Sequence, residues 1–125
     1  MSTYYSEEHE WLRVASEQSD TAEFGITAYA AEQLGDIVYV EFKEVGEQFS
    51  RSDEIGVIES FKAASDIYAP VSGQIVAANT ELANDPGKIN ESPEGEAWLY
   101  KIKLSDPTEL EHLMDEASYR ESTSS

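Results

Sequence analysis

The chain has 125 residues, enough for one domain with a real core but not for two. It contains no cysteine, which excludes disulfides, thiolate nucleophiles and cysteine-based metal sites. Twenty-six acidic residues against eight basic ones give a formal charge of −18, a balance that argues against nucleic-acid binding, since phosphate recognition needs clustered Lys and Arg.

The opening Met1-Ser-Thr-Tyr-Tyr-Ser-Glu-Glu8 lacks the basic and apolar regions of a secretory signal and is not a basic transit peptide. No apolar run approaches the ~18 residues of a membrane helix, so the expectation is a prokaryotic cytoplasmic protein with no membrane partner. Acidic residues are spread along the whole chain, which favours a solvated surface suited to high salt over steering toward a basic partner. His9 and His112 lack the i, i+4 spacing of a helical metal site, and neither a metal centre nor histidine-based catalysis is expected.

Trp11 and Val14 are candidate core residues. Strands at 12–16 and 22–26 flank the polar cluster Glu17-Gln-Ser-Asp-Thr21, a hairpin loop. Thr27 is placed to cap a helix over 28–34 that Gly35 stops, with Ala30, Ala31 and Leu34 on one apolar face. Ile37-Val-Tyr-Val-Glu-Phe42 is the clearest strand, and its nearly unbroken apolar run predicts burial on both faces. Residues 44–54 read as a turn and a short strand.

Next comes a hairpin carrying one lysine, Lys62. Ile55-Gly-Val-Ile58 leads in, Ile67-Tyr-Ala-Pro-Val71 leads out, and Ser60 to Asp66 form the tip, small or polar apart from Phe61. A lysine there presents its amine to a modifying enzyme. Pro70 cannot donate a ladder hydrogen bond, so the outgoing strand is an edge or bends there, and Gly73 permits a second bend. Residues 73–78 form another strand, 81–83 a single helical turn, and Asp85-Pro-Gly-Lys88 a β-turn with positive φ at Gly87. After a loop at 90–96, Trp98, Tyr100, Ile102 and Leu104 alternate with Leu99, Lys101 and Lys103, a strand with one buried face. Asp106-Pro107-Thr-Glu109 predicts a helix start, followed by Leu110, Leu113, Met114 and Ala117 at helical spacing. The domain spans 1–119, and 120–125 read as a disordered tail. Together these elements make a mainly β core with short helices.

Glu59, Ser60, Lys62, Ala63, Ser65, Asp66, Pro70 and Gly73 together resemble the lipoyl-attachment segment of the glycine cleavage system H proteins. The resemblance runs from about His9 to Leu113. It takes in His9-Glu10-Trp11, Gly25-Ile26-Thr27, the Tyr29 to Asp36 helix, Trp98-Leu-x-Lys-Ile102 and Asp106-Pro-x-Glu-Leu110. Lipoyl domains of 2-oxoacid dehydrogenases share the hairpin but not the outer segments. The resemblance implies a lipoyl-type barrel-sandwich hybrid with a C-terminal helix, and lipoic acid attached covalently at Lys62. It also implies a carrier with no catalytic residue of its own. The implied partners are glycine decarboxylase (P-protein), aminomethyltransferase (T-protein), dihydrolipoamide dehydrogenase (L-protein) and a lipoylating enzyme.

Glu59 and Asp66 flank the tip and become candidates for guiding the lipoylating enzyme. In the family a cleft near the His-Glu-Trp segment shelters the loaded arm, which makes Glu10 and Asp66 candidates for holding its cationic amine. The chain departs from the pattern at Gln33, where some members carry histidine, at Phe61 for a commoner valine, and at Ala97 for a glycine. A biotin carrier is disfavoured because Phe61 and Ala63, not methionines, flank the lysine. A lipoyl relay serving other enzymes, or a non-carrier interaction module, are the remaining alternatives.

Overall fold

A computed structural model describes residues 2–14 and 20–123. Among the described residues nine strands form two sheets. The larger has the order β1 (Ser2–Tyr5), β2 (Glu10–Val14), β3 (Thr21–Ile26), β9 (Tyr100–Leu104), β8 (Gly73–Ala78), β5 (Gln48–Phe49). The smaller has the order β4 (Ile37–Phe42), β6 (Glu54–Ser60), β7 (Ala64–Tyr68), and every recorded strand pair is antiparallel. The main core holds Leu12, Phe24, Ile58, Ile75, Leu99 and Ile102 among its buried residues, and a smaller cluster gathers Tyr5, Trp11 and Tyr119. The result is a sandwich rather than a closed barrel. Tyr100 staples the two sheets: from β9 its hydroxyl donates to the Ile55 carbonyl in β6 and accepts the Lys43 amide beside β4 at 2.7 Å. Burial raises this phenol to about 12, so it stays protonated and able to donate.

The hairpin β2–β3 forms as predicted, although its loop at 15–19 lies outside the described residues. Its register sets Trp11 opposite Gly25, and a β-carbon on Gly25 would come within 2.8 Å of the indole. Glycine is needed there for close approach, not for its backbone freedom. Helix α1 (Ala28–Leu34) has the predicted ends: Thr27 Oγ1 accepts the Ala30 amide at 3.2 Å, and Gly35 follows at φ +82°.

Several expectations are corrected. In β4 only Ile37 and Val40 are buried, and Val38 and Tyr39 are 44% and 48% exposed. The strand pairs with β6 on one side only, and a register shift between Ile37 and Tyr39 turns two successive side chains outward. Gly73, read as permitting a bend, opens β8, and what requires glycine there is close approach: the backbone carbonyl of Lys103 on β9 occupies the place a β-carbon would need. Gly87 has φ −62°, so the turn closed by Lys88 N and the Asp85 carbonyl leads into a short helix, α2 (Lys88–Glu91), where a loop is predicted. Trp98 is half-buried and Leu99 fully buried, because the ladder of β9 starts only at Tyr100.

The C-terminal helix is broken in two. Asp106 caps a 3-10 helix, Pro107–His112, but Glu109 does not close a capping box; it accepts from Ser72 N at 2.7 Å and Ser72 Oγ at 3.0 Å. Met114 then exchanges backbone hydrogen bonds with Tyr5, which interrupts the helix. Helix α3 (Glu116–Thr123) runs four residues into the predicted tail, with residues 124–125 outside the described range. Its anchor is Tyr119, fully buried and stacked on Tyr5 with ring centroids 4.6 Å apart.

Candidate functional site

Local chemistry builds the lysine tip. Strands β6 and β7 continue closer to the apex than predicted, leaving only Phe61, Lys62 and Ala63 between them. Ser60 closes the turn: its amide donates to the Ala63 carbonyl at 2.8 Å, and its Oγ accepts the amides of Lys62 at 3.2 Å and Ala63 at 3.1 Å. A second tie comes from the Phe61 amide, which donates to the Asp36 carbonyl just beyond α1 at 3.2 Å. The lysine tip is thus braced against the body through the backbone.

Lys62 is exposed, and its ammonium makes no ion pair or hydrogen bond among the described residues. The side chain leans over the C-terminal end of α1, where a β-carbon on Gly35 would stand 3.0 Å from Lys62 Cε. Phe61, beside it, is 81% exposed.

Beside that end of α1 lies a cleft of about 320 Å³. Tyr29, Ala30, Gln33 and Leu34 of α1 form one wall, and Ile58 of β6 with Ser65, Asp66 and Ile67 of β7 the opposite one. Glu8, His9 and Glu10 close it. Two of the predicted candidates, Glu10 and Asp66, therefore share one cavity, as does Gln33 at the position where the chain departs from its pattern. Glu59 does not line it; this residue is half-buried in β6, paired with Tyr39 and Ala64.

Glu10 is 4% exposed. Ser6 Oγ donates to its Oε1 at 2.7 Å and the Tyr68 amide to its Oε2 at 3.3 Å. Burial dominates these bonds and pushes the carboxyl up to about 7, with the nearby Glu8 charge adding a smaller push. Asp66 is exposed, and its Oδ2 accepts from the Tyr68 hydroxyl at 3.4 Å. A buried carboxyl with no cation paired to it among the described residues, near an exposed carboxylate and apolar side chains, suits a ligand with an alkyl body and a cationic end.

The structure adds residues that the sequence did not single out for the site. Glu8 and Tyr29 line the cleft, and His9 lines it on a backbone with φ 68°. An acidic run gives no signal for which of its carboxylates turns inward. The serine of the tip was visible only as part of the motif.

The family model for "Glycine cleavage H-protein" matches residues 3–125. A glycine cleavage system H protein of Dinoroseobacter shibae is 56% identical over 117 residues, 94% of this chain and 93% of that protein. One from Parvibaculum lavamentivorans is 48% identical, covering 94% of this chain and 91% of that protein. The crystal structure of a glycine cleavage system H protein from Mycobacterium marinum superposes with a TM-score of 0.84 at 35% identity, over 97% of this chain and 95% of that one.

Proposed function

The chain belongs to the glycine cleavage H-protein family and is a carrier component, not itself a catalyst; from that premise we propose that it carries lipoic acid in amide linkage to Lys62 Nζ, in the cytoplasm. The observation that carries this reading is the apex lysine, exposed and unpaired among the described residues on a tip braced by Ser60. A lipoylating enzyme needs an amine free of its own protein's carboxylates, and acylation removes the charge.

The residues present fit such a group. Ala30, Leu34, Ile58 and Ile67 offer a wall for an alkyl chain, at the end of α1 over which Lys62 already leans. The lipoyl group would supply a redox-active disulfide, and with it the chain would carry the aminomethyl group of glycine between the pyridoxal-phosphate-dependent decarboxylase (P-protein) and the aminomethyltransferase (T-protein), with dihydrolipoamide dehydrogenase (L-protein) as the partner that would reoxidise the arm. Lys62 tethers the cargo, so each docked partner meets it at the effective concentration of an intramolecular group. Glu10 and Asp66 hold the cationic amine of the cargo inside the cleft, while the apolar wall limits water around it. Glu59, on the strand that delivers the tip, offers the lipoylating enzyme a fixed carboxylate beside its target, and Asp66 on the outgoing strand a second one.

Glycine–bicarbonate exchange with purified P-protein tests the proposal. The lipoylated chain is expected to support exchange and Lys62→Arg to abolish it. Exchange surviving in the variant would refute the assignment.

A further inference from the structure

His9, which lines the cleft, is one end of a hydrogen-bond relay that runs away from it into the protein. His9 Nδ1 lies 2.9 Å from the Tyr119 hydroxyl, which lies 2.7 Å from Thr27 Oγ1. Thr27 Oγ1 also accepts the Ala30 amide at the start of α1. Thr27 and Tyr119 are both fully buried, so their hydroxyl protons must find partners within the protein. No buried side-chain polar atom among the described residues lacks a partner.

Proton counting then fixes the order. Thr27 Oγ1 already accepts from Ala30, and the Tyr119 oxygen is the acceptor in reach for its own proton. Tyr119, receiving that proton, sends its own to His9 Nδ1. A ring nitrogen that accepts carries no hydrogen, so the imidazole proton sits on Nε2. The reverse order would leave the Thr27 proton buried without an acceptor among the described residues, which costs stability. The Tyr29 ring, with its centroid 4.6 Å from that of His9, restrains the imidazole plane. Nδ1 is turned to Tyr119, His9 is a residue of the cleft lining, and Nε2 has no protein partner among the described residues.

We infer that Thr27 and Tyr119 are positioning residues that lock His9 as the neutral Nε2–H tautomer, giving the cleft a fixed hydrogen-bond donor beside its carboxylate acceptors Glu10 and Asp66. That donor addresses an acceptor atom on the arm tethered at Lys62, a clause that rests on the proposed carrier function. The relay also gives α3 a role in the site: its anchor residue, at the far end of the sequence, sets the protonation pattern of a cleft residue near the start.

The test is nitrogen NMR on ¹⁵N-histidine-labelled, unmodified protein carrying His112→Gln, so that His9 alone reports. At a pH where the imidazole is neutral, one tautomer is expected, with a pyrrole-type Nε2 and an acceptor-type Nδ1. Thr27→Ser keeps the relay and should keep that pattern. Tyr119→Phe keeps the ring stack on Tyr5 and should release His9 to a mixture of both tautomers. A proton on Nδ1 in the parent protein, or identical shifts in Tyr119→Phe, would overturn the relay. In the lipoylated, cargo-loaded protein the Nε2 resonance should move. An unmoved resonance, with intact mass confirming the load, would overturn the donor role while leaving the carrier function standing.

Discussion

Lys62 and Gly35 share one small volume: a β-carbon on Gly35 would stand 3.0 Å from Lys62 Cε and 3.6 Å from its Nζ. Gly35 ends α1 at φ +82° and ψ −156°, a conformation open essentially to glycine alone. The residue that stops the helix also lets the lysine lie across its end. Gly35→Ala should cost about 1–3 kcal/mol from backbone strain and displace the Lys62 side chain. Chemical denaturation reads the first effect, and the rate of enzymatic acylation the second. A variant as stable as the parent would show that this turn relaxes without strain.

Ser60→Ala removes the acceptor for two tip amides, Lys62 N and Ala63 N. The loss to stability should be small, about 1 kcal/mol, since the tip amides can turn to water. The tip itself becomes looser, so the expected signature is slower acylation of Lys62 with a fall in Tm of only about 3–5 °C. Equal acylation rates in parent and variant would contradict the bracing role.

Glu10 gives the fold a pH dependence of defined sign. Burial raises its carboxyl from the ordinary 4.5 to about 7. Between those values the folded state holds a proton that the unfolded chain has released, so this group's contribution to stability falls as pH rises through the window. The loss is complete above the folded value and amounts to roughly 3 kcal/mol. Glu10→Gln cannot ionise and should abolish it. Denaturant unfolding at about pH 5 and about pH 8 should show the parent losing most of that amount relative to the variant, about 2.5 kcal/mol. A cationic cargo favours the ionised form, so sheltering of the loaded arm should strengthen as pH rises through about 7. Parallel stability profiles for the two proteins would contradict the assignment.

Gly25→Ala tests the packing that holds the His9-Glu10-Trp11 segment in place. The added carbon would meet the Trp11 ring at 2.8 Å, and the indole is fully buried with its Nε1 bonded to the Pro93 carbonyl at 2.9 Å. Overpacking there should cost about 1–3 kcal/mol. Calorimetry showing no fall in Tm would mean that the indole has room to move.

Features set by near neighbours in sequence were legible before the structure. The caps Thr27 and Gly35 bracket α1 as predicted, and the lysine hairpin announces itself through strand-forming residues on either side of a small, polar tip. Burial that depends on distant partners was not legible. Val38 and Tyr39 look like core residues in sequence and are turned outward by a register shift against β6. Met114 fits a helical spacing, but its backbone pairs with Tyr5 across more than a hundred residues, which no local pattern encodes. Tyr119 sits next to a polar, serine-rich end, and only its stack on Tyr5 reveals it as core. In the site, Glu10 and Asp66 could be paired only through resemblance, because β2 and β7 lie in different sheets.

The central claim is that one exposed amine, Lys62 Nζ, becomes the attachment point of a lipoyl group. Intact mass of the chain purified from its native host, followed by peptide mapping, tests it most directly. One lipoyl adduct on the peptide containing Lys62, absent in Lys62→Arg, is the predicted result. An unmodified chain, or an adduct on another lysine, would contradict it.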